Sequence, residues 1–395
     1  MKRLSRSCTR ILLFLLPLGL IGCMDGAEPL PVEPLSTETL GTRSAASSMD
    51  ADGAALLVGN FSPGGAANGV LRYDAASGAF IDRMVPGERG ETTVGCCMTF
   101  GPDEHLYVES LETGAVLRFN GVTGAFIDEF VTPGSGGLTA PLVPVFGPDG
   151  NLYVGDLGKQ QILRFDGTTG AFIDVFVEPG SGGLTPPLDP QIFVFGPDGH
   201  LYVASAATDR ILRYDGSTGA FIDAFVSAGS GGLDGPAGLT FRSDGYLYVG
   251  SVFTNQVLRY DGQTGAFAGE FVSAGSGGLD TPVGLVFGPD ENLYVASASG
   301  PTGAGSILRY DGRTGAFIDA FVPTGRGGIS GPRVILFKEK IRVCHRPPGN
   351  PSNQKTLTTS YLSALDHVAH GDAVGSCESE AIGKNPVRSK RPGRR

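Results

Sequence analysis

The 395-residue chain contains no tryptophan and only five histidines, three of them beyond residue 340. Its aromatic content is 11 tyrosines and 23 phenylalanines. Basic residues are scarce: 30 Lys and Arg stand against 40 Asp and Glu, for a net charge of −10. Four of the cations lie in residues 1–22 and six in residues 384–395, so the body between is close to −20. An acidic body excludes nucleic acid as a partner. The basic end reads as a solvated tail, with docking on anionic polysaccharide or lipid as the alternative. Helical periodicity is also missing. The apolar runs of the body are four to seven residues long and rich in Val, Ile, Phe and Tyr, which favours strands.

These runs come in sets of four. Residues 283–322 show the pattern: GLVF, NLYVAS, SILRYD and AFIDAFV, separated by Gly288-Pro289-Asp290-Glu291 and by Asp311-Gly312-Arg313-Thr314-Gly315. Gly and Pro clusters of this kind punctuate hairpins. The third run recurs at Arg72, Arg118, Arg164, Arg213, Arg259 and Arg309, with spacings of 46, 46, 49, 46 and 50 residues. In the second run Leu293 and Val295 face one way and Tyr294 and Ala296 the other, so both faces need cover. A four-stranded meander covered by copies of itself is a propeller blade.

The first runs end at Phe100, Phe146, Phe195, Phe241, Phe287 and Phe337, one set out of phase with the others. The N-terminal copy lacks a first strand, and Arg333–Phe337 supplies a spare one after the last fourth strand. Docking it beside the 54–60 strand closes a ring without exposed edges. The expected fold class is therefore all-β: six four-stranded antiparallel blades, closed by a C-terminal strand, plus a small disulfide- or metal-stapled module. A seventh blade would need a further strand set. Over residues 54–337 the pattern resembles NHL-type and related six-bladed propellers, including gluconolactonase-like and streptogramin-lyase-like groups. That likeness implies the fold and leaves binding, scaffolding and enzymatic roles open.

Five segments follow from this reading. Residues 1–22 carry Lys2, Arg3, Arg6 and Arg10 and then the apolar run 11–21, which is a secretory signal. Its end, Leu20-Ile21-Gly22-Cys23, resembles a bacterial lipobox, which implies lipidation of Cys23 and a membrane anchor in the cell envelope. Asp25 is not directly after that cysteine, so the resemblance points to the outer membrane or cell surface. Residues 23–50 are rich in Pro, Ser, Thr and Glu and read as a tether. Residues 51–338 are the propeller, 339–383 a small Cys/His module, and 384–395 the basic tail.

Loops between strands two and three share a face with the connections between blades, and they vary from copy to copy. A specific site is expected there, near the channel mouth. The candidate residues are Glu109, Glu112, Asp156, Lys159, Asp209, Arg210 and Asn255. The partner would be a protein, glycan or small ligand. The third-strand arginines and the fourth-strand acids Asp82, Asp128, Asp174, Asp223 and Asp319 repeat with the blade, with Gly269 as the exception. Such repetition implies a structural ion pair across a hairpin. His105 and His200 fall in turns, so the channel histidine that lyase-like propellers use is missing. Gluconolactonase-like enzymes bind a divalent metal through Glu, Asn and Asp; Glu109 and Asp156 would supply two ligands. The oxygen-rich loops could also hold a structural calcium, without a complete ligand motif. Lyase or lactonase chemistry is therefore the alternative to binding. Cys96 and Cys97 enter a first strand, as two buried thiols or as a vicinal disulfide.

Residues 341–377 begin with Cys344-His345 and end in His367, His370, Gly371, Asp372 and Cys377. They resemble a small Cys/His module at the ends of secreted bacterial proteins. Two readings compete. In an oxidising compartment Cys344 and Cys377 form a disulfide that staples a coreless segment. Alternatively Cys344, His345, His367, His370 and Asp372 or Cys377 hold zinc, although the spacing matches no standard finger.

Overall fold

A computed structural model describes residues 53–61, 68–89, 92–93, 97–186, 192–298, 305–347 and 353–377. Among these residues there are six four-stranded antiparallel sheets, a three-stranded sheet and a two-stranded ribbon. Sheet 3 shows the unit: strands Pro141–Phe146, Leu152–Asp156, Gln161–Phe165 and Phe172–Val177 in chain order. Leu152 and Val154 point to one face and Tyr153 to the other, and all three are fully buried. A strand covered on both faces explains why the apolar residues run on without a polar alternate.

The loops follow from local chemistry. In the turn after the third strand, Asp166 Oδ1 accepts the N–H groups of Thr168 and Thr169, and the Thr169 hydroxyl donates to it at 2.8 Å. These bonds fold the turn back on itself. Gly170, at φ +72°, then lies against the Phe130 carbonyl of the preceding sheet, where a Cβ would not fit. Between sheets the chain makes a short 3-10 turn such as Ser135–Gly137. Gly136, at φ +61°, lets the Phe172 ring close over that turn.

The arginine and aspartate columns meet across the outer hairpins. Arg118 Nε donates to Asp128 Oδ1 at 3.0 Å, and the same bidentate pair joins Arg72 to Asp82, Arg164 to Asp174, Arg213 to Asp223 and Arg309 to Asp319. Opposite Arg259 stands Gly269, and the Arg259 guanidinium instead lies 4.6 Å from the centroid of Tyr246.

Tyrosine joins the sheets. Tyr107 sits edge-on to Phe130 of its own sheet at 4.8 Å and to Phe146 of the next at 4.9 Å. Tyr153, Tyr202, Tyr248 and Tyr294 repeat the contact, the last reaching Phe337 at 4.8 Å. Each edge-to-face pair adds roughly 0.5–1.5 kcal/mol beyond its buried area.

In the first sheet, strand Pro332–Lys338 pairs antiparallel with Ala55–Asn60, setting Phe337 opposite Leu56. The position that is tyrosine in the other sheets is Leu57 here. Tyr361, from the segment after the last fourth strand, fills the gap. It is fully buried, 6.3 Å from the Phe100 ring centroid, and its hydroxyl donates to Gly121 O at 2.7 Å.

The C-terminal segment comprises strands Lys340–His345, Lys355–Ser360 and Ala373–Val374 and a short helix, α1, at Ser363–Ala369. The coreless staple expected from sequence is corrected here. Ile341, Val343, Tyr361, Ala364 and Val374 join one apolar cluster with Leu57, Val70 and Met84 of the first sheet (sheet 1) and with Met98 and Leu117 of sheet 2, formed by strands Met98–Phe100, Leu106–Ser110, Ala115–Phe119 and Phe126–Val131. At the rim, Glu104 accepts from Lys338 at 2.6 Å and from Arg342 at 2.9 Å.

Candidate functional site

The ends of the second strands carry two of the seven candidate residues, Glu109 and Asp156, and both side chains are engaged. Asp156 is fully buried. It accepts from Thr139 Oγ1 at 2.7 Å, Ala140 N at 3.0 Å, Gly158 N at 3.1 Å and Gln161 Nε2 at 3.0 Å. The equivalent residues do the same task. Ser297 Oγ accepts from Asp280 N at 3.0 Å, and Asn60 Oδ1 accepts from Ser330 N at 2.9 Å. At Asn60, Asp156, Ser251 and Ser297 this position pins the connection entering the sheet.

Asp209 and Asn255 are turn formers. Both have positive φ, at +55°, and accept backbone N–H groups of the following connection, from Gly235 and Thr281, at 2.8 Å. Lys159 Nζ donates to Gly137 O at 2.7 Å, which places its loop beside the connection into its own sheet. Glu112, Lys159 and Arg210 are exposed.

Glu109 stands one residue before the pinning position. The other five sheets have Gly59, Gly155, Ala204, Gly250 and Ala296 there. Its carboxylate is fully buried and accepts the Cys97 N–H at 2.8 Å. Cys97 is buried, whereas Cys96 and the lipidation candidate Cys23 lie outside the described residues. His105 is half-buried, and burial lowers its pKa.

In the C-terminal segment Cys344 and Cys377 are joined in a disulfide. Neither sulfur is then a metal ligand. His345, His367 and Asp372 nonetheless converge, with one ligating atom of each lying within 4.8 Å of the others. Asp372 Oδ2 is 2.8 Å from Nδ1 of both histidines, and Oδ1 accepts Arg346 N at 2.8 Å. Burial acts to raise the Asp372 pKa, but the Arg346 N–H and the two imidazoles outweigh it and hold the carboxyl below its ordinary value. His370 stands apart on the exposed end of α1.

Tyr361 is the residue that sequence reasoning passed over. The signal was there in the second-strand column, where Leu57 replaces a tyrosine.

No protein-family model and no curated relative matches the chain. Solved structures do. The first is a component of a nidogen/laminin complex, at TM-score 0.55 and 16% identity, covering 72% of this chain and 98% of that one. The second is a protein of unknown function from Bacteroides caccae, at TM-score 0.54 and 15% identity, with the same coverage of 72% and 98%. The chain is a β-propeller. Virginiamycin B lyase from Staphylococcus aureus also matches, at TM-score 0.45 and 16% identity over 65% of this chain and 82% of that one. At these identities the neighbours speak for the fold alone.

Proposed function

We propose that the chain is an exported lipoprotein of the bacterial envelope, anchored through Cys23 and displayed at the outer membrane or cell surface. Its six sheets are the blades of one ring, closed by the pairing of the 332–338 strand with the 55–60 strand. It works as a binding or scaffolding module for a protein, glycan or small ligand. The recognising surface is the face that carries the loops between second and third strands.

One observation carries this reading. At the strand ends the polar side chains are committed to pinning connections, while Glu112, Lys159 and Arg210 differ from loop to loop and are exposed on the same face. Variable charge on a rigid frame is how a scaffold acquires a specific partner.

A second reading has its own support. An enzyme breaks the repeat symmetry where it works, and Glu109 is a buried carboxylate at a position that is otherwise Gly or Ala. A lyase- or lactonase-like site at the channel mouth would be built around it.

Photo-crosslinking in cells separates faces. A crosslinking amino acid at position 112, 159 or 210 is expected to trap a partner. The same group at Thr168, Ser217 or Gln263, in the turns of the opposite face, is expected to trap none. Adducts from the opposite face alone would reject the reading.

A further inference from the structure

We propose that His345, His367 and Asp372 form a site for a divalent transition-metal ion of the zinc class, in a segment whose disulfide is intact. Disulfide and metal looked like alternatives because both claimed the cysteines. The structure makes them compatible: the bridge joins Cys344 to Cys377, and the remaining ligand set contains no sulfur.

Three elements are brought together. His345 ends the strand Lys340–His345, next to the disulfide. His367 projects from α1. Asp372 follows in the turn before Ala373, which pairs with Cys344. The Asp372 N–H donates to His367 O at 3.1 Å, closing this turn onto the helix. The Arg346 N–H holds one carboxylate oxygen, so that the other faces both rings.

Burial is unequal across the set. The Asp372 side chain is 1% exposed, while those of His345 and His367 are 32% and 29% exposed. A carboxylate is rarely taken out of water unless it is paired or coordinates a metal. The half-open rings leave a route for an ion and a position for water or a further donor.

The distances suit a small ion. Ligand atoms about 2.1 Å from a tetrahedral zinc lie roughly 3.4 Å from one another. The two imidazole–carboxylate separations of 2.8 Å would open by about half an ångström. Two nitrogens and one oxygen select zinc or a neighbouring first-row metal. Calcium takes six to eight oxygens and finds too few here.

The test uses the full-length protein in detergent, with its disulfide intact and its metal stripped by chelator. Zinc chloride is titrated by calorimetry, and retained metal is counted by mass spectrometry. One zinc per chain is expected, bound at least tenfold more weakly in Asp372→Asn and in His367→Ala, and unchanged in His370→Ala. A second measurement needs no variant: zinc should protect His345 and His367 of the unsubstituted protein from diethyl pyrocarbonate while His370 reacts. Absence of bound zinc, equal binding by the variants, or equal reaction of all three histidines with and without zinc would overturn the site.

Discussion

Tyr361 stands edge-on to Phe100, with an interplanar angle of 77°, in the place that a second-strand tyrosine takes between the other sheets. The donor is more than 250 residues away in sequence, yet the contact is of the same kind. Its hydroxyl is shared with the buried Arg72, at 3.4 Å, and with the sulfur of Met84, at 3.5 Å. The C-terminal segment therefore completes the junction of sheets 1 and 2.

Removing that ring should be costly. Tyr361→Ala is expected to lower stability by about 3–5 kcal/mol, the range for large buried aromatics. Tyr361→Phe keeps the ring and loses the hydroxyl bonds, at about 1–3 kcal/mol. Urea denaturation followed by tyrosine fluorescence reads both, and an unchanged midpoint for Tyr361→Phe would contradict the assigned bonds.

Reduction of the Cys344–Cys377 bridge should act at a distance. The bridged cysteines are 33 residues apart in sequence, and chain entropy puts the stabilisation at about 3–4 kcal/mol. The double Cys→Ser variant is expected to loosen the C-terminal segment and, through Tyr361, the packing around Phe100 and Met84. A lower melting temperature with faster proteolysis between residues 340 and 377 is the expected outcome. No change in either would show that the segment is held by packing alone.

Strand-end carboxylates and loop charges should separate cleanly. Asp156→Ala leaves the buried Gln161 amide and the Ala140 and Gly158 N–H groups without their acceptor and should cost about 2–4 kcal/mol. Glu112→Ala and Arg210→Ala, both exposed, should change stability by less than about 0.5 kcal/mol. Thermal melts of the three proteins side by side check this. A destabilised Arg210→Ala would mean that the variable face is structural too.

Alkaline pH should unfold the chain before its tyrosines titrate freely. Burial pushes the hydroxyls of Tyr153, Tyr202, Tyr294 and Tyr361 up to about 12 from an ordinary value of 10.0. The folded state therefore holds these protons above pH 10 and the unfolded chain does not. The stability this contributes is full below pH 10 and falls as pH rises through about 12. Ultraviolet phenolate absorbance and circular dichroism, recorded together, should change as one transition above pH 10. Phenolate absorbance rising to its full amplitude near pH 10 in a folded protein would contradict the packing.

Five of the four-stranded sheets were legible in sequence because each is a local product: the turn residues and the Arg and Asp columns report on contacts within one repeat or its neighbour. The first sheet was legible because the out-of-phase Phe337 marks a strand left over for the long-range pairing with Ala55–Asn60. Gly269 also read correctly as the exception, although Tyr246 as the substitute partner of Arg259 did not. The candidate site was less legible. Glu109 was paired with Asp156 as a ligand, whereas it sits one residue earlier, on the other side of the strand. Asp156, Asp209 and Asn255 read as binding-face candidates, and loop polarity alone cannot tell a side chain aimed at solvent from one aimed at a backbone N–H. The docking of the C-terminal segment escaped because its partner surface is assembled from Met84, Phe100 and Gly121, which lie far from it in sequence.

Hydrogen exchange on the full-length protein and on Tyr361→Phe tests most directly whether the C-terminal segment is built into the propeller. The account predicts faster exchange in the variant at Gly69–Pro86, Met98–Phe119 and Lys340–Ser360, with Leu201–Val226 and Tyr246–Val272 unchanged. Uniform acceleration across all six sheets, or none outside the C-terminal segment, would contradict it.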